Sequence, residues 1–202
     1  MGWPKSRVIS SLAALVNHAR WKLDDMTGSI ASDSMGAHPG TIYGLAAWVN
    51  RVSGPFGVGY ENNPGDAVNY TDLIGLDVKS QMYNKMQSCY IRIPFVLTVD
   101  PTKLTSLTLN IRCDDGFVAY INGQELARDR FAAPVPAWNA GADSSCDDAV
   151  ARTLQPFTVN RSDKPDLFNS LQLGNNILAI QGLNYLTSSS DFLISEELYA
   201  GQ

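Results

Sequence analysis

Asp114 and Asp115, adjacent and followed by Gly116, are the residues whose type and spacing most directly suggest chemistry. Their carboxylate oxygens suit a hard cation such as Ca2+, which is bound through oxygen ligands. The same carboxylates in a D-D-G turn can instead accept backbone N–H bonds and hold the turn. Asp24-Asp25 and Asp147-Asp148 carry the same two readings. A second set of candidates is aromatic. Trp138, in a loop rich in Pro and Ala, and Tyr185, beside Asn184, could offer flat apolar faces to the C–H side of a pyranose. Asn139, Asn184 and Arg128 would add hydrogen bonds, the mixture of apolar faces and a few polar groups usual in binding sites. The alternative is a Trp138 that plugs its own loop onto the body of the domain.

Catalytic patterns are missing. No G-x-S-x-G, H-E-x-x-H or P-loop occurs, and both histidines, His18 and His38, lie near the N-terminus. Ser190 and Ser195 have no neighbour in sequence to activate them as nucleophiles. Acidic residues are plentiful, and a glycosidase pair would be told only by its separation in space. The expectation is a non-catalytic domain.

Composition narrows the partners. The 202 residues carry a net charge of −5, with 45% hydrophobic and only 17% charged residues, 16 Gly and 10 Pro. Such a chain folds, is rich in turns, and has no basic stripe for nucleic acid. No segment approaches the length of apolar chain that spans a bilayer, so no membrane insertion is expected. The low charge leans toward a secreted or cell-surface protein. Cys89, Cys113 and Cys146 form no CxxC and have no nearby His. That leaves buried thiols, or one disulfide and one thiol, rather than zinc.

The elements that must position these candidates are strands. Residues 88–99 and 106–113 alternate apolar and polar, with Leu107, Leu109, Ile111 and Cys113 expected inward. Asp114-Asp115-Gly116 reads as a turn, and Asn122-Gly123 as a type I′ hairpin between 117–121 and 124–128. A long loop covers 131–148, and strands return over 151–160, 167–184 and 191–200. The stretch from Trp48 through GPFGVGYENNPGD reads as a loop, and Tyr70 to Lys85 as polar and helix-compatible. With at least seven strands and no alternating long helices, an antiparallel β-sandwich is expected for residues 21–202. Residues 1–20 read as an N-terminal extension. Lys5 and Arg7 before the apolar run Val8 to Val16 are compatible with a signal remnant or a short amphipathic helix.

The succession YIRIPFVL, LNIRCDDGFVAYINGQELAR, PVPAWNAGA, LQLGNNILAIQGLN and SSSDFLISEELYA, over residues 50–200, resembles a domain of large secreted bacterial proteins. There it accompanies laminin-G, lamin-tail and spore-coat-kinase-like domains. Residues 21–44 resemble a laminin-G-like opening. The D-x-x-x-x-x-x-N-G hairpin and the later G-x-N-x-L-A-I strand are similar to the galactose-binding-like jelly rolls that precede glycosidase barrels. The D-D-G turn resembles that of yeast adhesin sugar-binding domains, where the pair holds Ca2+. These resemblances imply a carbohydrate-binding module, Ca2+ at Asp114 and Asp115, and an extracellular setting. The alternative is a structural module packing against neighbouring domains or subunits.

Overall fold

In strand β7 (Ser106–Asp114), Leu107, Leu109, Ile111 and Cys113 are buried while Thr108, Asn110 and Arg112 alternate outward. A period of two of this kind needs a second sheet to cover the apolar face, and one is there. The computed structural model describes residues 57–201, together with the backbone pairing of β1 (Ile30–Ala31), β2 (Gly40–Thr41) and β3 (Val49–Asn50). The remaining strands are β4 (Gly57–Glu61), β5 (Ile74–Asp77), β6 (Ser88–Leu97), β8 (Gly116–Ile121), β9 (Gln124–Asp129), β10 (Gln155–Asn160), β11 (Gly174–Leu183) and β12 (Asp191–Gly201). Short helices α1 (Lys79–Met82), α2 (Asp148–Ala151) and α3 (Pro165–Asn169) lie between them.

One sheet runs β10-β7-β12-β4-β5 and the other β3-β6-β11-β8-β9. Their pairings are antiparallel except β3 with β6 and β4 with β5. Val58, Tyr60, Leu109, Ile111, Phe192 and Ile194 from the first sheet meet Ile91, Phe117, Ala119, Ile121, Leu178 and Ile180 from the second in one core. The chain is therefore an all-β, mostly antiparallel sandwich, as its alternation implies. The expected extension over residues 1–20, the reading of 21–44 beyond the β1–β2 pairing, and Asp24-Asp25 lie outside the described residues.

The glycine-rich stretch read as a loop instead contains β4, paired on both sides, and the following helix-compatible stretch holds β5 before the short helix α1 that it implied. At Gly59 a Cβ would collide with the Phe192 carbonyl oxygen of β12, so close backbone approach demands the residue that otherwise signals a loop. The chain bends at Asp115 as the Asp114-Asp115-Gly116 signal implies, but the bend is a crossover and not a hairpin. β7 and β8 belong to different sheets, and the cis Asp114–Asp115 peptide lies where the chain passes between them. The Asn122-Gly123 hairpin forms as read, both residues having positive φ, 47° and 85°.

The 131–147 loop has no regular structure, and it is packed. Phe131 and Ala142 from the loop join Val118, Tyr120 and Leu183 on the outer face of the second sheet. On the outer face of the first sheet, Tyr70 and Ala151 cover Leu193. All three cysteines are free thiols.

Candidate functional site

The alternation that sends Cys113 into the core turns Asp114 to the outer face, opposite Leu193. Asp191, two residues before Leu193 on β12, shares that face, and it pairs with Glu61 at the end of β4. Asp148 arrives from α2, whose N-cap Asp147 accepts the Ala149 and Val150 N–H groups. The ends of three neighbouring strands and one short helix thereby converge. One carboxylate oxygen from each of Asp114, Asp148 and Asp191 lies within 4.8 Å of the others.

The two segments over this cluster are clamped together. Arg152, at the end of α2, holds both carboxylate oxygens of Asp72 at 2.7 Å, and it donates to the Asn69 carbonyl. Arg112 in turn donates to the Arg152 carbonyl at 2.7 Å. Tyr70 is thereby held over the cluster with no exposure. Neither its hydroxyl nor Oδ2 of Asp114, a residue that is 2% exposed, makes a hydrogen bond of regular geometry, and the closest polar groups to both are carboxylates.

Electrostatics follow from that crowding. Burial first, then the Asp115 and Asp191 carboxylates, raise the Asp114 carboxyl far above the usual carboxylate range. Burial also raises Asp191, where a hydrogen bond with Asp114 offsets part of the effect and Asp148 and Glu61 add to it, and Asp148, where Asp147 and Glu61 add to it and Tyr70 offsets a little. The Tyr70 hydroxyl is raised by burial and by the charges of Asp114, Asp148 and Asp191.

Asp115 does something different. Its Oδ1 accepts the Cys146 N–H at 2.8 Å and its Oδ2 accepts the Tyr185 N–H at 2.6 Å. Of the two aspartates that the sequence offers as a metal pair, Asp114 enters the cluster, and Asp115 ties down two loops instead. Asp148 and Asp191 complete the cluster. Asp148 belongs to a pair noted in the sequence as acidic; nothing in the sequence marks Asp191, because its place is set by the β12 register.

The sequence-derived ligand residues also divide. Trp138 is 63% exposed and Tyr185 43% exposed. Asn139 is exposed beside Trp138 in a turn closed by the Ala140 N–H and the Ala137 carbonyl. Arg128, by contrast, grips Glu125 through two nitrogens, donates to the Ala133 and Pro134 carbonyls, and lies 5.8 Å from the Phe131 ring centre. Its donors fasten the loop. Asn184 is fully buried, and its side-chain N–H donates to the Tyr60 hydroxyl at 2.9 Å. It supports the Tyr185 loop from inside.

No family model matches the chain, and no curated protein matches it. Among solved structures it is similar to the Streptomyces avermitilis alpha-L-rhamnosidase complexed with L-rhamnose, at 17% identity and a TM-score of 0.34. The similarity covers 58% of this chain and 10% of that one, so the chain spans a small part of that enzyme's length.

Proposed function

We propose that this chain is a non-catalytic carbohydrate-binding module of an extracellular or cell-surface multidomain protein. The observation that carries the reading is the mounting of Trp138 and Tyr185: the backbone beside each ring is pinned while the ring faces solvent. The Tyr90 hydroxyl donates to the Trp138 carbonyl at 2.7 Å, and the buried Gln181 side chain donates to the Ala137 carbonyl at 2.9 Å. Tyr185 has its N–H held by Asp115 and its carbonyl held by Gln87 at 2.6 Å. A backbone held in this way lowers the freedom lost when its ring binds, and the exposed Asn139 adds a polar partner. Arg128 and Asn184 act behind this surface. The extracellular setting is supported by the low charge and by the resemblance to domains of secreted proteins.

The test is binding of the full chain to a panel of polysaccharides and soluble glycans. Wild type should bind one class saturably, while Trp138→Ala and Tyr185→Ala weaken binding about tenfold each with an unchanged melting temperature, as expected of exposed anchors. If no glycan binds, a packing role against neighbouring domains or subunits takes precedence. Val96 and Leu173 support that second reading, being 65% and 67% exposed at the same end of the β6–β11 pair.

A further inference from the structure

We infer that Asp114, Asp148 and Asp191 form a divalent-cation site, with Ca2+ as its ion. The spacing is the first reason. Oxygens bound to one Ca2+ at about 2.3–2.6 Å can lie no more than about 5 Å apart, and the three carboxylate oxygens here fall within 4.8 Å of one another.

The second reason is independent of the acidic cluster. The Tyr70 hydroxyl is completely buried and makes no hydrogen bond of regular geometry, and the groups within its reach are the Asp114 and Asp148 carboxylates. Buried polar groups are nearly always well satisfied, so a hydroxyl left without a regular hydrogen bond beside a pocket of carboxylates marks room for a further partner. An ion and the water it carries would supply one. Oδ2 of Asp114 also lacks a regular hydrogen bond at the same place.

The donor set selects the ion. Every group is a hard oxygen, with no imidazole or thiolate among the three ligands, which favours Ca2+ or Mg2+ over zinc or copper. The ligands come from a strand end, a strand start and a short helix, a spread better matched to the tolerant coordination of Ca2+ than to the rigid octahedron of Mg2+.

The ion would complete a clamp. Asp148 lies two residues after Cys146, whose N–H Asp115 already holds. With the ion bound, the 146–148 segment is fastened to the sheet on both sides, and the Arg152–Asp72 pair closes the 62–73 loop over it. The site stands whether or not the module binds a glycan. Its competitor is a proton shared between Asp114 and Asp191, which would relieve the same repulsion without a metal.

The deciding experiment is calorimetric titration of the chelator-stripped full chain with Ca2+, then with Mg2+, alongside thermal unfolding. Wild type should bind one Ca2+ saturably and melt higher in its presence, with a weaker response to Mg2+. Asp148→Asn and Asp191→Asn alter half-buried side chains and should leave cooperative unfolding intact while weakening Ca2+ binding by about tenfold or more. Absence of binding and of any melting shift in wild type overturns the site in favour of the shared proton. Binding that survives unchanged in both variants also overturns it, since the ion would then sit elsewhere.

Discussion

Asp115 accepts the Tyr185 N–H at 2.6 Å and the Cys146 N–H at 2.8 Å, so one carboxylate holds two loops to the crossover between the sheets. Asp115 is 4% exposed, and hydrogen bonds of this kind to a buried charge are stronger than neutral ones. Asp115→Ala should destabilise the protein by about 3 kcal/mol, because both N–H groups lose their acceptor. Asp115→Asn, which keeps one oxygen, should cost less. Chemical denaturation of the two variants checks the order, and equal costs would show that the loops are held by other contacts.

The raised carboxyls make the protein unusual in its response to pH when divalent cations are chelated. Asp114 has a folded pKa above its unfolded value, so its stabilising contribution is complete below the ordinary carboxylate range and is lost as pH rises through the folded pKa. Asp148 and Asp191 shift in the same direction. Asp72, Asp100 and Asp163 are lowered instead, by Arg152, Thr102 and Asn160 in turn, so their effect appears only in more acid solution. With chelator present, the melting temperature should therefore fall from about pH 5 to pH 8. Asp114→Asn should flatten that slope and raise stability at pH 8. A melting temperature that climbs across this range in wild type would sink the idea.

Gly59 tests why β4 exists. A Cβ there would strike the Phe192 carbonyl oxygen, a backbone atom that cannot rotate away. Gly59→Ala should cost about 3 kcal/mol or more, at the upper end of overpacking effects. Gly65→Ala, where a Cβ has open space, should be nearly silent. Similar midpoints in urea for the two variants would show that β12 can shift to admit the methyl group.

The same glycine explains how far the sequence can be read. Strands that alternate, such as β7, or that end in Asn122-Gly123, were legible because side-chain period and turn chemistry are local properties. β4 was not, since Gly57 and Gly59 are chosen for a neighbour more than a hundred residues away, and glycine in isolation signals a loop. The site divides along the same line. Asp114 and Asp115 stand out as a pair, but which of them faces the cluster depends on the crossover. Asp191 is drawn in only by its register opposite Glu61. Arg128 reads as a free donor, whereas Glu125, three residues earlier, returns beside it across a bulged strand and occupies it.

Asn176 shows that a motif residue can be wholly structural. Its Oδ1 accepts from the Asn122 side chain at 2.8 Å and from the Gln172 N–H at 2.9 Å, while its Nδ2 donates to the Gln172 and Gly174 carbonyls. Asn122 also accepts the Ile177 N–H and donates to the Ser170 carbonyl. The hairpin tip of β8–β9 and the turn into β11 are thus one network, which accounts for both motifs, N-G and G-x-N, occurring in the same chain. Since Asn176 is 2% exposed, Asn176→Ala would strand several of these groups away from water and should cost about 3 kcal/mol. Asn176→Asp keeps the acceptor but removes the two N–H donors and should be nearly as costly. In both variants the glycan and Ca2+ binding proposed for wild type should persist below the lowered melting temperature, because the network sits at the opposite end of β8 and β11 from Asp115 and Tyr185. Loss of either activity in a variant that still unfolds cooperatively would mean that the two ends of the sandwich are coupled.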